Sequence, residues 1–273
     1  MKNEWKRENF DILIIRSLWD YVDKIEKFLK WIEIIQNNNI KVLNDLKAIK
    51  WNIDKNYLNE LSLENKINVV PSVFIRKNET SPIRAITKAI RDAKYSGLFR
   101  MDQNNFVYKP TIGANGLGAN RFNLNDILIN SEQQEINNEI LCSLLSRSDI
   151  IVQPFISSIR DEGETSFVFF NGKFSHSIIK KPIISDFRVQ ECYGGTVEKN
   201  LNPSQSEIEV AQNIIDKIIE KNGKILYARI DMLRINGNLH LSESEIFEPT
   251  LYFMGDRTIA NRFISSVFEI LNS

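Results

Sequence analysis

The residues best suited to chemistry lie near the C-terminal end, in the run ARIDMLRINGNLHLSESEIFEP from Ala228 to Pro249. It reads as two strands around Asn236-Gly237. Alternation places Glu243 and Glu245 on one face, shared with Leu239 and Leu241. Carboxylates on an otherwise apolar face are costly unless paired or bound to metal. Together with Asp231 they form a hard oxygen set suited to Mg²⁺, which binds through a few carboxylates plus substrate phosphates. Register tests this reading. A two-residue turn pairs Asp231 with Ser242 and puts Asp231 on the face opposite Glu243. A three-residue turn, Asn236 to Asn238, pairs Asp231 with Glu243 and Arg229 with Glu245. The metal reading therefore requires the longer turn, with a residue such as Asn238 in a left-handed conformation. The alternative is a solvated, charged strand face.

A second stretch, VYKPTIGANGLGAN from Val107 to Asn120, runs from a strand ending in Lys109 into a loop with Gly113, Gly116 and Gly118. Glycines let backbone N–H groups wrap a phosphate, and the lysine adds charge. Two commoner phosphate motifs fail here. Gly113 to Gly118 has P-loop spacing, but Ala119-Asn120 stand where Lys-Ser/Thr is required. Gly116-x-Gly118-x-x-Arg121 lacks the third glycine of a dinucleotide fingerprint. A flexible surface turn is the plain alternative. Two weaker segments are IVQPFISSIRDEGETSF, Ile150 to Phe167, and DFRVQECYGG, Asp186 to Gly195, whose Arg188 beside a Gly-Gly loop could bind an anion.

Other chemistries find little support. His176 and His240 fall within strands, read as structural, and are too few for a histidine-rich zinc site. No serine or cysteine sits at a nucleophile elbow. Cys142 and Cys192 form no CxxC pair, and Cys142 is expected in a helix core. Trp19, Tyr21, Phe28 and Trp31 read as packing. The 35 basic residues balance 35 acidic ones, which argues against nucleic-acid or membrane-surface partners. Met1 to Asn9 is charged without an apolar stretch, and no apolar run spans a membrane, so a reducing, cytoplasmic compartment is expected.

These segments need a scaffold. At 273 residues, 42% hydrophobic and 26% charged, the chain suits a globular protein of about two domains. Asp11–Arg16 reads as a buried strand, Tyr21–Gln36 as an amphipathic helix and Lys41–Leu43 as a strand, a small α/β unit. Helices are expected over Asp54–Leu63, Pro82–Lys94, Asn125–Ser146, Ser204–Glu220 and Arg257–Leu271. An edge strand or loop is expected at Val69–Ile75, and strands at Phe106–Lys109 and Ile150–Phe155. Hairpins pair Thr165–Phe170 with Lys173–Lys180, and Lys224–Ile235 with Leu239–Phe247. Ser204 with Glu207 makes a capping box. The later strands are antiparallel, so the C-terminal two thirds read as α+β.

The ordered set resembles the ATP-grasp superfamily of carboxylate–amine ligases: a lysine after an α/β unit, strand-Lys-Gly loop, hinge strand, Gly-Glu, then Arg-x-Asp and a Glu-x-Glu strand, over residues 41–255. RSLWDY from Arg16, WNIDKNYL around Lys55, FSHSIIKKP from Phe174 and ESEIFEP resemble a narrower group that includes the cyclo-ligase of cycloserine biosynthesis. The resemblance implies an ATP-grasp fold behind a shortened N-terminal α/β domain, divided as 1–54, 55–164 and 165–273. It implies that Lys55 and Lys109 contact nucleotide phosphates and that Gly113, Gly116 and Gly118 cover them. Gln153, with the backbone of Phe155 and Ile156, would line the adenine pocket, and Glu164 would hold the ribose. Lys180 would reach the γ-phosphate, Arg229 would stabilise the acyl phosphate, and Arg188 would hold the carboxylate substrate. Asp231, Glu243 and Glu245 would hold two Mg²⁺ ions.

The implied reaction activates a small amino-acid-like carboxylate with ATP as an acyl phosphate, which an amine displaces, giving ADP and phosphate. Only ten residues precede the segment matching Asp11, where relatives carry a further strand and helix. An abbreviated domain or one completed by a partner chain is expected, and a homodimer stays open. The alternatives are a nucleotide- or partner-binding relic and a kinase stopping at phosphoryl transfer.

Overall fold

The computed structural model describes residues 10–129 and 131–272. Strand β1 (Leu13–Ile14), helix α1 (Ile25–Asn37), strand β2 (Val42–Leu43) and helices α2 (Leu46–Asn52) and α3 (Tyr57–Asn65) come first. β1 and β2 pair in parallel, as the α/β reading of this segment requires. α1 buries Phe28, Ile32 and Ile35, the three- and four-residue spacing of its apolar stripe. A 3-10 turn, Trp19–Lys24, precedes it. Asp45 caps α2 by accepting from Lys47 N.

The central part contains β3 (Val73–Ile75), α4 (Pro82–Tyr95), β4 (Asn105–Pro110), β5 (Asn120–Asn123), α5 (Leu124–Ile129), α6 (Ser131–Leu145), β6 (Ile150–Pro154) and a short α7 (Ser158–Asp161). Its four-stranded antiparallel sheet has the order β3-β6-β4-β5. α4 packs against β3 and α6, and Ile86, Ile90 and Leu141 share a core with Phe106, Tyr108 and Val152. α6 turns Asn137, Leu141 and Leu145 inward, so Cys142, one residue off that stripe, is exposed rather than in the core.

The C-terminal part contains β7 (Glu164–Phe170), β8 (Lys173–Lys181), β9 (Thr196–Asn200), α8 (Gln205–Asn222), β10 (Tyr227–Ile235), β11 (Asn238–Glu245) and α9 (Arg257–Leu271). A five-stranded antiparallel sheet runs β11-β10-β7-β8-β9. α8 starts with the anticipated capping box of Ser204 and Glu207 and buries Ala211, Ile214, Ile215 and Ile218 on the sheet. No described helix is long and apolar enough to cross a membrane.

The β10–β11 hairpin departs from expectation. Its turn is the shorter one: Asn236 (φ 52°) and Gly237 (φ 81°) are both left-handed, and Ile235 pairs with Asn238. Yet Asp231 still faces Glu243 and Arg229 still faces Glu245. A β-bulge reconciles the two, because Met232 pairs with Leu241 and leaves Ser242 as the extra residue. The bulge also reverses the facing of β11. Leu239 and Leu241 lie in the core with Ile230 and Met232, whereas Glu243 and Glu245 point the opposite way with Arg229 and Asp231. The expected common face with Leu239 and Leu241 is therefore wrong.

Asn44 fastens the N-terminal unit to this hairpin. It is 1% exposed and left-handed (φ 47°). Its Oδ1 accepts from Leu226 N (2.6 Å) and Tyr227 N (3.2 Å), and its Nδ2 donates to Tyr227 O (2.7 Å) and Ile246 O. Asn44→Ala strands these buried groups and leaves at positive φ a residue without asparagine's tolerance of that conformation. Urea or thermal unfolding should show a loss of about 3 kcal/mol; a loss below about 0.5 kcal/mol would contradict this linkage.

Candidate active site

A cleft of about 370 Å³ is lined from both large sheets and from the N-terminal unit. That volume lies within the range of small-molecule sites. Every residue that the resemblance gives a nucleotide, metal or substrate role lines it except Gly118. Gly118 (φ 73°) packs against Pro110 and Leu144, so it shapes the base of the loop instead of its ligand face. At Gly116 (φ 68°) an added Cβ would lie 3.0 Å from Gln190 Oε1 and 3.3 Å from Arg188 Cδ. The glycine loop thus touches the Arg188 segment closely. β5 follows the loop, where a P-loop or dinucleotide fold would start a helix.

β10 places Arg229 and Asp231 two residues apart, so both face the cleft. Asp231 is nearly fully buried and is the hub of the charges. Arg229 grips it with two bonds of 2.9 Å, Lys180 Nζ sits 2.9 Å from Oδ2, and Ser166 Oγ donates to Oδ1 at 2.6 Å. Burial alone would raise this carboxyl, but Arg229 and Lys180 hold it well below the usual range. Lys180 also pairs with Glu164 at 2.5 Å, and burial is outweighed by Asp231 and Glu164, so its ammonium is held above its ordinary value. Arg229 additionally pairs with Glu245 and donates to Thr250 O at 3.1 Å.

Glu243 faces a second cation group. Lys55 Nζ lies 3.0 Å and Lys109 Nζ 3.9 Å from it, and against the effect of burial they lower its pKa. Lys55 also donates to Gly113 O at 2.6 Å, tying the glycine loop to the acidic strand. Burial lowers the Lys109 ammonium. Burial raises Glu245 to about 7, with Asp231 and Glu243 adding to it against Arg229.

The three carboxylates have the donor chemistry for Mg²⁺. In this arrangement, however, each is turned to a lysine or arginine, and no three acidic, histidine or cysteine groups converge into a metal cluster among the described residues. Divalent metal would have to replace some of these internal cation contacts.

At the other end, Gln153 donates from Nε2 to Ser72 Oγ at 3.0 Å. Phe155 lies under the Arg121 guanidinium at 4.0 Å and meets Phe187 edge-on at 6.5 Å. Arg188 is gripped by Asp186 (2.7 Å at the closest) and stacks 3.5 Å over Tyr193. The two histidines lie outside the lining: His176 bonds Leu251 O at 3.0 Å and His240 bonds Asn238 O at 3.0 Å.

Four cleft residues went unnoticed in the sequence reading or were read otherwise. Trp19, expected in packing, lines the cleft and donates to Glu248 O at 3.0 Å. Thr250 and Tyr252 follow the hairpin and carried no signal of their own. Glu248 did carry one, as a further acid in the ESEIFEP run. It is 7% exposed, and its Oε2 has no hydrogen-bond partner among the described residues.

Burial, with Glu245 adding to it, pushes the Glu248 carboxyl up to about 8. A raised carboxyl pKa means the folded chain keeps a proton that the unfolded chain releases. Stability is then lost as pH rises from the ordinary carboxyl value through about 8. Glu248→Gln removes this loss. It should stabilise the protein at about pH 9 by on the order of 1–3 kcal/mol and change it little at about pH 4. Equal effects at both pH values in thermal melts would refute the assignment.

Comparison with known proteins bears on the fold. A family model for the N-terminal domain of D-cycloserine synthetase DcsG matches residues 2–44. The cycloserine biosynthesis protein DcsG of Streptomyces lavendulae is 23% identical over 272 residues, covering 98% of this chain and 85% of that protein. The crystal structure of D-cycloserine synthetase DcsG superposes with a TM-score of 0.81 at 22% identity, over 98% of this chain and 86% of that one. The D-alanine–D-alanine ligase of Bacillus anthracis, complexed with ATP, superposes with a TM-score of 0.58 at 14% identity, over 87% of this chain and 74% of that one. The chain is thus similar over nearly its whole length to the cycloserine biosynthesis protein DcsG and has the ATP-grasp fold.

Proposed function

We propose that the chain is an ATP-dependent ligase that activates a small amino-acid-like carboxylate for attack by an amine or similar nucleophile. The observation carrying this reading is one cleft in which a glycine loop, three lysines and an arginine surround three carboxylates on a bulged hairpin. The relatives support it: one is named a synthetase, and another is a ligase complexed with ATP. On this reading residues 1–54 form the N-terminal domain, 55–164 the subdomain with the glycine loop, and 165–273 the subdomain with the acidic hairpin.

A carboxylate is a poor electrophile because oxide would have to leave. In the proposed reaction its oxygen attacks the γ-phosphorus of ATP, the bond to the β-phosphate oxygen breaks, and ADP leaves. The nucleophile then attacks the acyl carbon, phosphate departs with the C–O electron pair, and the nucleophile loses its proton. No covalent bond to the protein forms. The chain's task is to position reactants and balance charge. Lys109 and Lys55 neutralise the phosphates, and the loop at Gly113 and Gly116 closes over them, with Gly118 shaping its base. Gln153, Phe155 and Ile156 receive the base and Glu164 the ribose. Lys180 and Arg229 face the γ-phosphate and the acyl phosphate. Arg188, held by Asp186 and Tyr193, takes the substrate carboxylate. Asp231, Glu243 and Glu245 would hold Mg²⁺, two ions in the full reading, which when bound supplies charge neutralisation to the triphosphate.

Mg²⁺·ATP should raise the melting temperature of the wild type, equivalent to about 2.7 kcal/mol at a hundredfold excess over Kd. Mg²⁺ or ATP alone should raise it less, and Glu243→Gln/Glu245→Gln should abolish the Mg²⁺-dependent part. Turnover in hydroxylamine should then give a hydroxamate from the accepted carboxylate. Absence of any shift at millimolar-order nucleotide would rule out the ligase reading for this chain. Arg188→Ala should raise the KM for the carboxylate by about 10–100-fold, the worth of a charge-assisted hydrogen bond, while KM for ATP stays nearly constant. An effect on ATP alone would remove Arg188 from the carboxylate subsite.

A further inference from the structure

We infer that Ser72 is a positioning residue that fixes which end of the Gln153 amide faces the nucleobase, and so makes the cleft prefer a 6-amino over a 6-oxo purine. This rests on the nucleotide reading above and deepens it. Gln153 lies on β6 opposite Val107 of β4 and lines the cleft. A glutamine amide is ambiguous in principle: one end accepts and the other donates. Turned one way it complements the amino group of adenine. Turned the other way it complements the carbonyl of hypoxanthine or guanine.

A hydrogen-bond relay removes the ambiguity. The Ser72 hydroxyl donates to the Val70 carbonyl at 2.6 Å. A hydroxyl has one proton, so once that proton is committed, Ser72 Oγ can only accept from Gln153. Gln153 must then offer its NH₂ group, as it does at 3.0 Å. Its Oε1 takes no hydrogen bond from any described residue and is left as the acceptor for a ligand. The relay is anchored behind Ser72. Val70 N donates to Leu241 O at 2.9 Å, and Leu241 N to Asn68 O at 2.7 Å, so the segment is clamped to β11. Ser72 itself is not among the residues lining the cleft, and it acts through Gln153.

Turning the amide would set NH₂ against the cleft and leave Oε1 facing a hydroxyl whose proton is already used. Meeting a 6-oxo base therefore costs either that turn or an unpaired polar group. The expected discrimination is about tenfold or more in Kd.

The test compares Mg²⁺·ATP with Mg²⁺·ITP, whose bases differ at the 6-position, by calorimetric titration of the full chain. Wild type should bind ATP at least about tenfold more tightly than ITP. Ser72→Ala should bring the ratio to within about threefold, because the amide is then free to turn. Ser72→Thr keeps the hydroxyl and should keep the ratio. Ser72→Ala/Gln153→Glu should restore the ATP preference, since a carboxylate only accepts; a merely structural role for Ser72 predicts no such rescue. Wild type that binds both nucleotides equally overturns the proposal alone, as does Ser72→Ala with an unchanged ratio. Wild type that binds neither overturns the nucleotide reading and the proposal with it.

Discussion

The site depends on the neutralisation of one buried carboxylate. Asp231 sits between Arg229, Lys180 and Ser166, all with little contact to water. Loss of either cation would leave a charge buried without its partner, which costs far more than an exposed pair contributes. This requirement sets much of the local design. β7 must supply Ser166 and Glu164, β8 must carry Lys180 opposite Glu164, and β10 must turn both Arg229 and Asp231 the same way. Six acids line the cleft, Glu164, Glu191, Asp231, Glu243, Glu245 and Glu248, against five cations, Lys55, Lys109, Lys180, Arg188 and Arg229. The surplus of negative charge fits the pattern of shifts: Asp231 and Glu243, flanked by cations, are lowered, while Glu245 and Glu248 are raised.

This internal balance bears on how a polyphosphate would be received. The lysines already have carboxylate partners, and Lys55 also holds the glycine loop through Gly113 O. A phosphate entering the proposed site would exchange one set of contacts for another, and would not meet free cations. The freed carboxylates would then need positive charge of their own, which is the condition for divalent metal. The N-terminal unit joins in because Asn44 and Trp19 bond the strand-to-loop stretch that ends the hairpin, so its packing and the shape of the cleft are set together.

Much of the frame was legible because its signals are local. The capping box at Ser204 and Glu207 marks the start of α8, and the stripe from Ile259 to Ile270 gives α9 its observed limits. The charged residues of the cleft were legible as an ordered set around strands and glycines. What escaped lacks local signal. α2, β5 and β9 are short and have no sustained period, and Cys142 misses the buried stripe of α6 by one position. Trp19 looks like a core aromatic in sequence, and only the tertiary fold turns it to the cleft. The facing of Glu243 escaped for another reason. Alternation counts residues along one strand, and a bulge breaks the count without leaving a mark in the letters.

That one supernumerary residue divides the hairpin into two segments with different tolerance to change. Between the bulge and the Asn236-Gly237 tip, residues could be added or removed in opposed pairs, moving the tip while the two glutamates keep their heading. A slip that took Ser242 into the ladder opposite Asp231 would instead turn over everything beyond it, sending Ser244 into the cleft and Glu243 and Glu245 into the apolar layer beneath α8. The hairpin is thus free to drift in length at its outer end and is locked in phase at its inner end. Homologues that keep this chemistry should vary at the tip and keep Asp231 opposite Glu243 and Arg229 opposite Glu245.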